Sequence, residues 1–231
     1  FISMKIDSHY YYLLALVGSI FFPLILSFDK KVNFKQHFPS LLKSVPLVAS
    51  LFIIGDILYT HLGIWGFSEK YHLKPEFFNL PYEELGFFFI IPFACVFLYE
   101  VTLSYFKLKA SRYFNRGLLV FALVFALLAL IFTERLYTTA TYSFTALILI
   151  YISFKNPDNI VYLMFAFLLS ILPFILVNGF LTGMFTDSPI VWYNDAENLG
   201  TRIFTIPIED FSYSFNLISL NILVFEYFKT K

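Results

Sequence analysis

The sequence predicts an all-α integral membrane protein. About seven transmembrane helices are expected, arranged as two parallel three-helix repeats joined by a connector helix. Three observations carry this. First, 59% of the 231 residues are hydrophobic and only 14% charged, with a mean hydropathy of +0.74; an ordinary soluble domain carries about 25% charge. Second, apolar runs recur at the length that a bilayer core of roughly 30 Å requires. Third, the chain echoes itself. Pro81-Tyr82-Glu83-Glu84-Leu85-Gly86-Phe87-Phe88 returns as Pro207-Ile208-Glu209-Asp210-Phe211-Ser212-Tyr213-Ser214, 126 residues later.

The runs follow in order. The first spans 10–26 and ends at Ser27-Phe28-Asp29-Lys30-Lys31. The second spans 41–59 and holds Asp56 near its end. A polar loop with Trp65, Phe67, His72 and Lys74 leads to Pro81, where the third run begins and continues to 106. Proline suits a helix start because its missing N–H would be unpaired there. The following acids face the positive end of the helix dipole. A basic loop (Lys107, Lys109, Arg112, Arg116) precedes the fourth run, 117–132, the plainest apolar span. Glu134 and Arg135 separate it from the fifth, 136–152. Asn156-Pro157 marks a turn. The sixth run, 160–177, has Pro173 as a kink. A long polar loop, 178–205, leads to the seventh, 207–228.

The echo extends beyond the acids. The same offset sets Leu26-Ser27-Phe28 on Ile152-Ser153-Phe154, Phe67 on Tyr193 and Glu100 on Glu226; a slightly different one sets Asp56 on Asn178. Residues 1–107 therefore read as the first repeat, 108–134 as the connector, and 135–231 as the second repeat. Parallel repeats imply a pseudo-two-fold axis along the membrane normal, with a site between the halves. Eleven Lys and Arg (Lys30, Lys31, Lys35, Lys43, Lys107, Lys109, Arg112, Arg116, Lys155, Lys229, Lys231) fall on one side and five (Lys5, Lys70, Lys74, Arg135, Arg202) on the other. The positive-inside rule then puts the N-terminus outside and the C-terminus in the cytoplasm.

Several classes are excluded. Net charge is zero and no basic block suggests nucleic acid. The single cysteine, Cys95, permits no internal disulfide, and no His spacing suggests a metal site. No phosphate-binding glycine motif is present. No Asp-rich pair suits magnesium and diphosphate, and no lysine sits mid-helix where a retinal protein needs one. The N-terminal residues lack the pattern of a cleavable signal peptide.

The candidate chemistry is carboxyl chemistry. Glu83, Glu84, Glu209 and Asp210 sit at the mouths of helices, where a carboxylate beside hydrocarbon is expensive. A desolvated acid beside a second one supplies an acid and a base in one place; the competing reading is interfacial charges that cap their helices. Asp56 and Asn178 are matched polar residues able to hydrogen-bond these acids, and Arg202 is a carboxylate partner or a surface charge. Trp65, Phe67, Trp192 and Tyr193 form either an interfacial belt or a lid of π-faces over a cation.

At this point the chain resembles the bacterial lycopene cyclase domain family, in which two small halves occur separately or fused. The resemblance covers nearly all of the chain. It rests on Ser27-Phe28-Asp29-Lys30, Trp65-Gly66-Phe67, Leu80-Pro81-Tyr82-Glu83-Glu84 with Phe87-Phe88, Asn178-Gly179-Phe180-Leu181-Thr182, Gly200-Thr201-Arg202, and Pro207-Ile208-Glu209-Asp210-Phe211 with Tyr213. Lys74 departs from the small residue expected there.

The resemblance implies a fused lycopene β-cyclase in the bacterial inner membrane. Its substrates would be lycopene and γ-carotene, converted without a cofactor, and association with other carotenoid enzymes would be compatible. Glu83, Glu84, Glu209 and Asp210 would be catalytic. Asp56, Trp65, Phe67, Phe87, Phe88, Asn178, Tyr193, Arg202, Phe211 and Tyr213 would bind substrate. A hydratase or a cyclase of longer carotenoids remains open, as does a non-catalytic carotenoid- or lipid-binding protein or a proton-linked transporter.

Overall fold

A computed structural model describes residues 7–155 and 157–229. Lys5, Lys231 and the Asn156 part of the expected turn lie outside these. Seven α-helices account for most of the described residues: α1 (Tyr11–Leu26), α2 (Phe38–His61), α3 (Tyr82–Tyr105), α4 (Phe114–Ile131), α5 (Leu136–Ser153), α6 (Pro157–Leu181) and α7 (Ile208–Lys229). Six of them, α1 to α6, are long and apolar enough to cross a membrane.

The seventh helix falls short of that, against the expectation of seven apolar spans, and its packing explains why. It contacts α2, α3, α5 and α6 and so needs little lipid-facing surface. It buries Ser212, Asn216, Ser219 and Asn221 along with its two acids. Asn216 is held by α5, accepting from Thr145 Oγ1 at 2.9 Å and donating to the Thr141 carbonyl at 3.1 Å. In contrast α4, whose sequence is the plainest, packs on α5 and exposes Val120, Phe121, Leu123 and Leu130. Apolarity here tracks exposure to lipid, as a bilayer solvent requires.

The polar connections are more ordered than loops. They carry six short strands: β1 (Trp65–Phe67), β2 (Glu76–Phe77), β3 (Leu80–Pro81), β4 (Val191–Tyr193), β5 (Arg202–Ile203) and β6 (Ile206–Pro207). β2–β3 and β5–β6 are hairpins that each lead directly into a helix, α3 and α7. The turn of the first places Phe78 and Asn79 at φ 51° and 64°, the primed geometry that two-residue hairpin loops adopt. Pro81 and Pro207 end β3 and β6 and are not the first helical residues. An extended Pro81 (ψ 147°) still pairs with Glu76 while fixing where α3 begins.

The two remaining strands join the halves of the chain. β1 and β4 run antiparallel, with Trp65 opposite Tyr193 and Gly66 opposite Trp192. The pairing extends through Ser68 N to the Ile190 carbonyl and Asn194 N to the Ile64 carbonyl, both 2.8 Å. At the other end of the bundle Lys229 bridges Glu100 at 2.5 Å and Glu226 at 3.3 Å, with the His37 ring 3.5 Å from Glu100.

Candidate active site

The first turn of α3 presents Glu83 and Glu84, and that of α7 presents Glu209 and Asp210. With Asp56 of α2 these five carboxyls are at most 8% exposed. That excludes charges snorkelling to a headgroup layer.

The paired acids divide their work by helix geometry, since neighbours point 100° apart. The leading acid faces back to the connection before its helix. Glu83 Oε1 accepts from Leu73 N at 2.7 Å, and Glu209 Oε1 accepts from Leu199 N at 2.7 Å and Thr138 Oγ1 at 2.6 Å. Each fixes its loop to its helix. The second acid faces the bundle. Glu84 accepts from the Tyr12 hydroxyl. Asp210 Oδ1 accepts from the Tyr137 hydroxyl at 2.5 Å, and its Oδ2 from Asn178 Nδ2 at 2.7 Å and the Tyr193 hydroxyl at 2.9 Å.

Asn178 thus bonds an acid across the bundle, as its sequence position suggests. Asp56 does not do the same. Its Oδ1 accepts from the Trp65 indole at 2.6 Å, and its buried Oδ2 has no partner among the described residues. Asp56 and Glu84 are electrostatic neighbours, and the Tyr213 phenol neighbours Asp56, Glu84 and Asp210. Glu83 Oε2 and Glu209 Oε2 are likewise buried and unpartnered there.

An aromatic cluster stands beside these acids. The Trp65 ring meets Tyr59 (4.9 Å), Tyr137 (5.2 Å), Tyr213 (5.9 Å) and Tyr193 (6.0 Å), all at steep interplanar angles. Such edge-to-face packing holds rings rigidly. Burial, and then the charge of Asp210, push the Tyr193 phenol well above its ordinary range, so its hydroxyl remains a donor. Phe67 packs on the same cluster, whereas Trp192 turns outward and is 43% exposed. Phe88 is buried and packs with Phe52 (6.2 Å) and Phe87 (5.5 Å). A cavity of about 310 Å³ lies against this cluster, between α2, α5 and α7, bordered by Phe52, Tyr59, Tyr213 and Asn216 among others.

Two expected residues lie elsewhere. Arg202 pairs with Asp195 at 2.5 Å and the Thr205 carbonyl at 2.9 Å, not with the paired acids. Those acids take their bonds from neutral donors, and Arg202 shapes the β5–β6 hairpin. Phe211 packs on Phe174 of α6 at 4.9 Å, because it follows Asp210 by one residue and so faces a different neighbour. Conversely Tyr12, Tyr59, Tyr137 and Thr138 were not singled out by sequence reasoning. One signal was present: the 126-residue offset sets Tyr12 on Thr138, and each donates its hydroxyl to an acid at the mouth of α3 or α7.

Buried acids with one-sided hydrogen bonding, stiff π-faces and an apolar cavity can protonate a hydrocarbon and shelter the cation formed. No curated protein and no solved structure matches the chain. The family model described as lycopene cyclase matches residues 9–102 and 134–228, which take in every residue of the site just described. A match over most of the chain, in two segments that each end in a helix opened by paired acids, shows that the chain belongs to the lycopene cyclase family.

Proposed function

We propose that the chain is a lycopene β-cyclase that closes β-rings on both ends of lycopene, through γ-carotene, by acid/base isomerisation within the membrane. The observation that carries this is the grouping of Asp56, Glu84 and Asp210 around Tyr213 and Trp65. Ring closure adds one proton at the terminal double bond and removes one from the new ring. Nothing is oxidised or reduced, so the reaction is written without an electron carrier or any other cofactor.

The hydrogen bonds favour a division of roles. Asp210 receives three donors, the coordination that suits an anion. Among the described residues Glu84 and Asp56 each receive one donor, from Tyr12 and Trp65, and they are electrostatic neighbours. Glu84, supported by Asp56, delivers the proton. The polyene double bond attacks the tertiary cation that results, and the faces of Trp65 and Tyr213 stabilise the charge as it moves. Asp210 accepts the ring proton or holds the counter-charge while Glu84 takes it back. Glu83 and Glu209 are positioning residues that set the helix mouths.

The matched acid contacts also support reading 1–107 and 135–231 as two copies about a pseudo-two-fold axis, with 108–134 between them. Tyr12 N donates to the Tyr71 carbonyl at 3.1 Å, and Thr138 N donates to the Glu197 carbonyl at 3.4 Å, each pair offset by 126.

Pigments extracted from a lycopene-accumulating bacterium expressing the chain test the reading. The parent should yield β-carotene. Glu84→Gln and Asp210→Asn should each lower conversion at least ~100-fold, the scale of a lost general acid or base. Unchanged lycopene from a well-expressed parent would overturn the reading.

A further inference from the structure

The cavity beside Tyr213 has an outlet, and its location has a consequence for how a substrate arrives. Its border includes Leu51, Gly55 and Ala140, and Leu51 is an exposed apolar side chain midway along α2. α2 and α5 both pack on α7 but make few contacts with each other; their rings meet at Phe52 and Phe144, 6.2 Å apart. The cavity therefore borders the exposed face between α2 and α5, at the level of Leu51 midway along the apolar α2. At its inner wall Tyr213 touches Phe52 (5.4 Å) on one side and Trp65 (5.9 Å) on the other. Phe52, Asp56 and Tyr59 follow one another on one face of α2. The lining holds none of the acids, but Tyr213, which forms part of it, is the electrostatic neighbour of Asp56, whose Oδ2 is buried and unpartnered among the described residues.

In the registers that relate the two halves, the equivalent place lies between α6 and α1, and it is packed. Val177 stands where Gly55 would and supplies the filling, whereas Leu14, where Ala140 would be, is itself exposed. Val177 packs in one cluster with Ala15, Phe87 and Ile90, and Tyr11 meets Phe180 across the seam at 6.1 Å. Phe144 runs against this trend, since its counterpart is Gly18, but it stands beside Phe52 and leaves the gap at Gly55 and Ala140 open. A Cβ added at Gly55 would meet no atom within 4 Å. A volume of about 310 Å³ is at the low end of small-molecule sites, about 300–1,000 Å³. It suits one chain end and not two.

We propose that the crevice between α2 and α5 is the lateral doorway through which one end of a linear polyene hydrocarbon passes from the bilayer to the Asp56–Glu84 acids. Both ends use it in turn, so the one-ringed product is released, reverses in the bilayer and returns. This rests on the cyclase reading, and the experiment separates the two.

Purified protein in lipid nanodiscs is mixed with lycopene, and two signals are read. Lycopene is achiral, so circular dichroism in its visible band arises only when a chiral site holds it. Ring formation is followed by chromatography. Gly55→Leu and Ala140→Leu, one from each wall, should each lower both signals at least tenfold while melting near the parent temperature. Ile54→Phe, on the exposed face beside Gly55, should keep both within twofold. With labelled lycopene, added unlabelled γ-carotene should dilute the label in the two-ringed product.

A parent that cyclises while both crevice variants match it overturns the doorway and leaves the cyclase reading standing. A parent that binds but never cyclises, with binding lost in the variants, overturns the cyclase reading and keeps the doorway. A parent without induced dichroism overturns the doorway, and undiluted label overturns release between the two closures.

Discussion

Glu84 and Asp210 stand at matching positions but receive different company. Asp210 is served by Tyr137, Tyr193 and Asn178, whereas Glu84 depends on Tyr12, and the position matching Asn178 carries a further acid, Asp56. A one-residue difference, Asn against Asp, thus replaces a hydrogen-bond donor to an acid with a second carboxyl. Tyr12→Phe removes the hydroxyl from Glu84 while keeping the ring buried. The lost bond to an ionisable group is worth about 1.5–3 kcal/mol. If that stabilisation acts on the reacting acid, conversion should fall about tenfold or more, with the induced dichroism of bound lycopene unchanged; an equal loss of binding would mark Tyr12 as structural only. This contact joins residues 72 apart, and nothing in a run of three tyrosines at a helix start distinguishes the one that points inward. The paired acids themselves were legible because they repeat. Their partners were not, because a hydrogen bond between helices leaves no local pattern.

At the scale of elements, the apolar runs located every helix, since lipid-exposed surface must be apolar. The exception in degree, α7, is informative: its polar residues face other helices and so escape that constraint. The strands were illegible. Runs of two or three residues carry no period, and β1–β4 pairs segments more than a hundred residues apart. Gly66 is where that pairing is tightest. A Cβ there would lie 2.4 Å from Cζ2 of Trp192, far inside contact distance. Gly66→Ala should therefore push the half-exposed indole outward and destabilise the fold by about 1 kcal/mol, less than in a closed core, because the clash is with the far end of a side chain that has room to turn. It should appear as a lower melting temperature in detergent. Trp192→Ala on top of it should recover most of the loss, because the two positions are coupled through one clash. An additive double variant would mean that the strand pair tolerates the methyl by another route.

Over the whole molecule, the arrangement of charge and chemistry has a direction. The acids, the aromatic cluster and all three strand pairs gather at the end of the bundle where α3 and α7 begin, while Glu100, Glu226, Lys229 and His37 gather where they end. The excess of Lys and Arg lies at the second end, so the positive-inside rule predicts that the acid site sits near the outer leaflet. Labelling can decide this, because the chain's single cysteine, Cys95, is buried and silent. Asp187→Cys lies in the connection between α6 and β4, and Lys109→Cys in the exposed segment between α3 and α4. A membrane-impermeant maleimide should modify Asp187→Cys in intact cells and Lys109→Cys only after permeabilisation. The reverse pattern would place the acids at the inner leaflet. The doorway would survive such an inversion, since α2 and α5 flank the cavity whichever way the bundle stands. The leaflet from which the proposed substrate is drawn would change, and with it the side on which any enzyme supplying an acyclic polyene must release it.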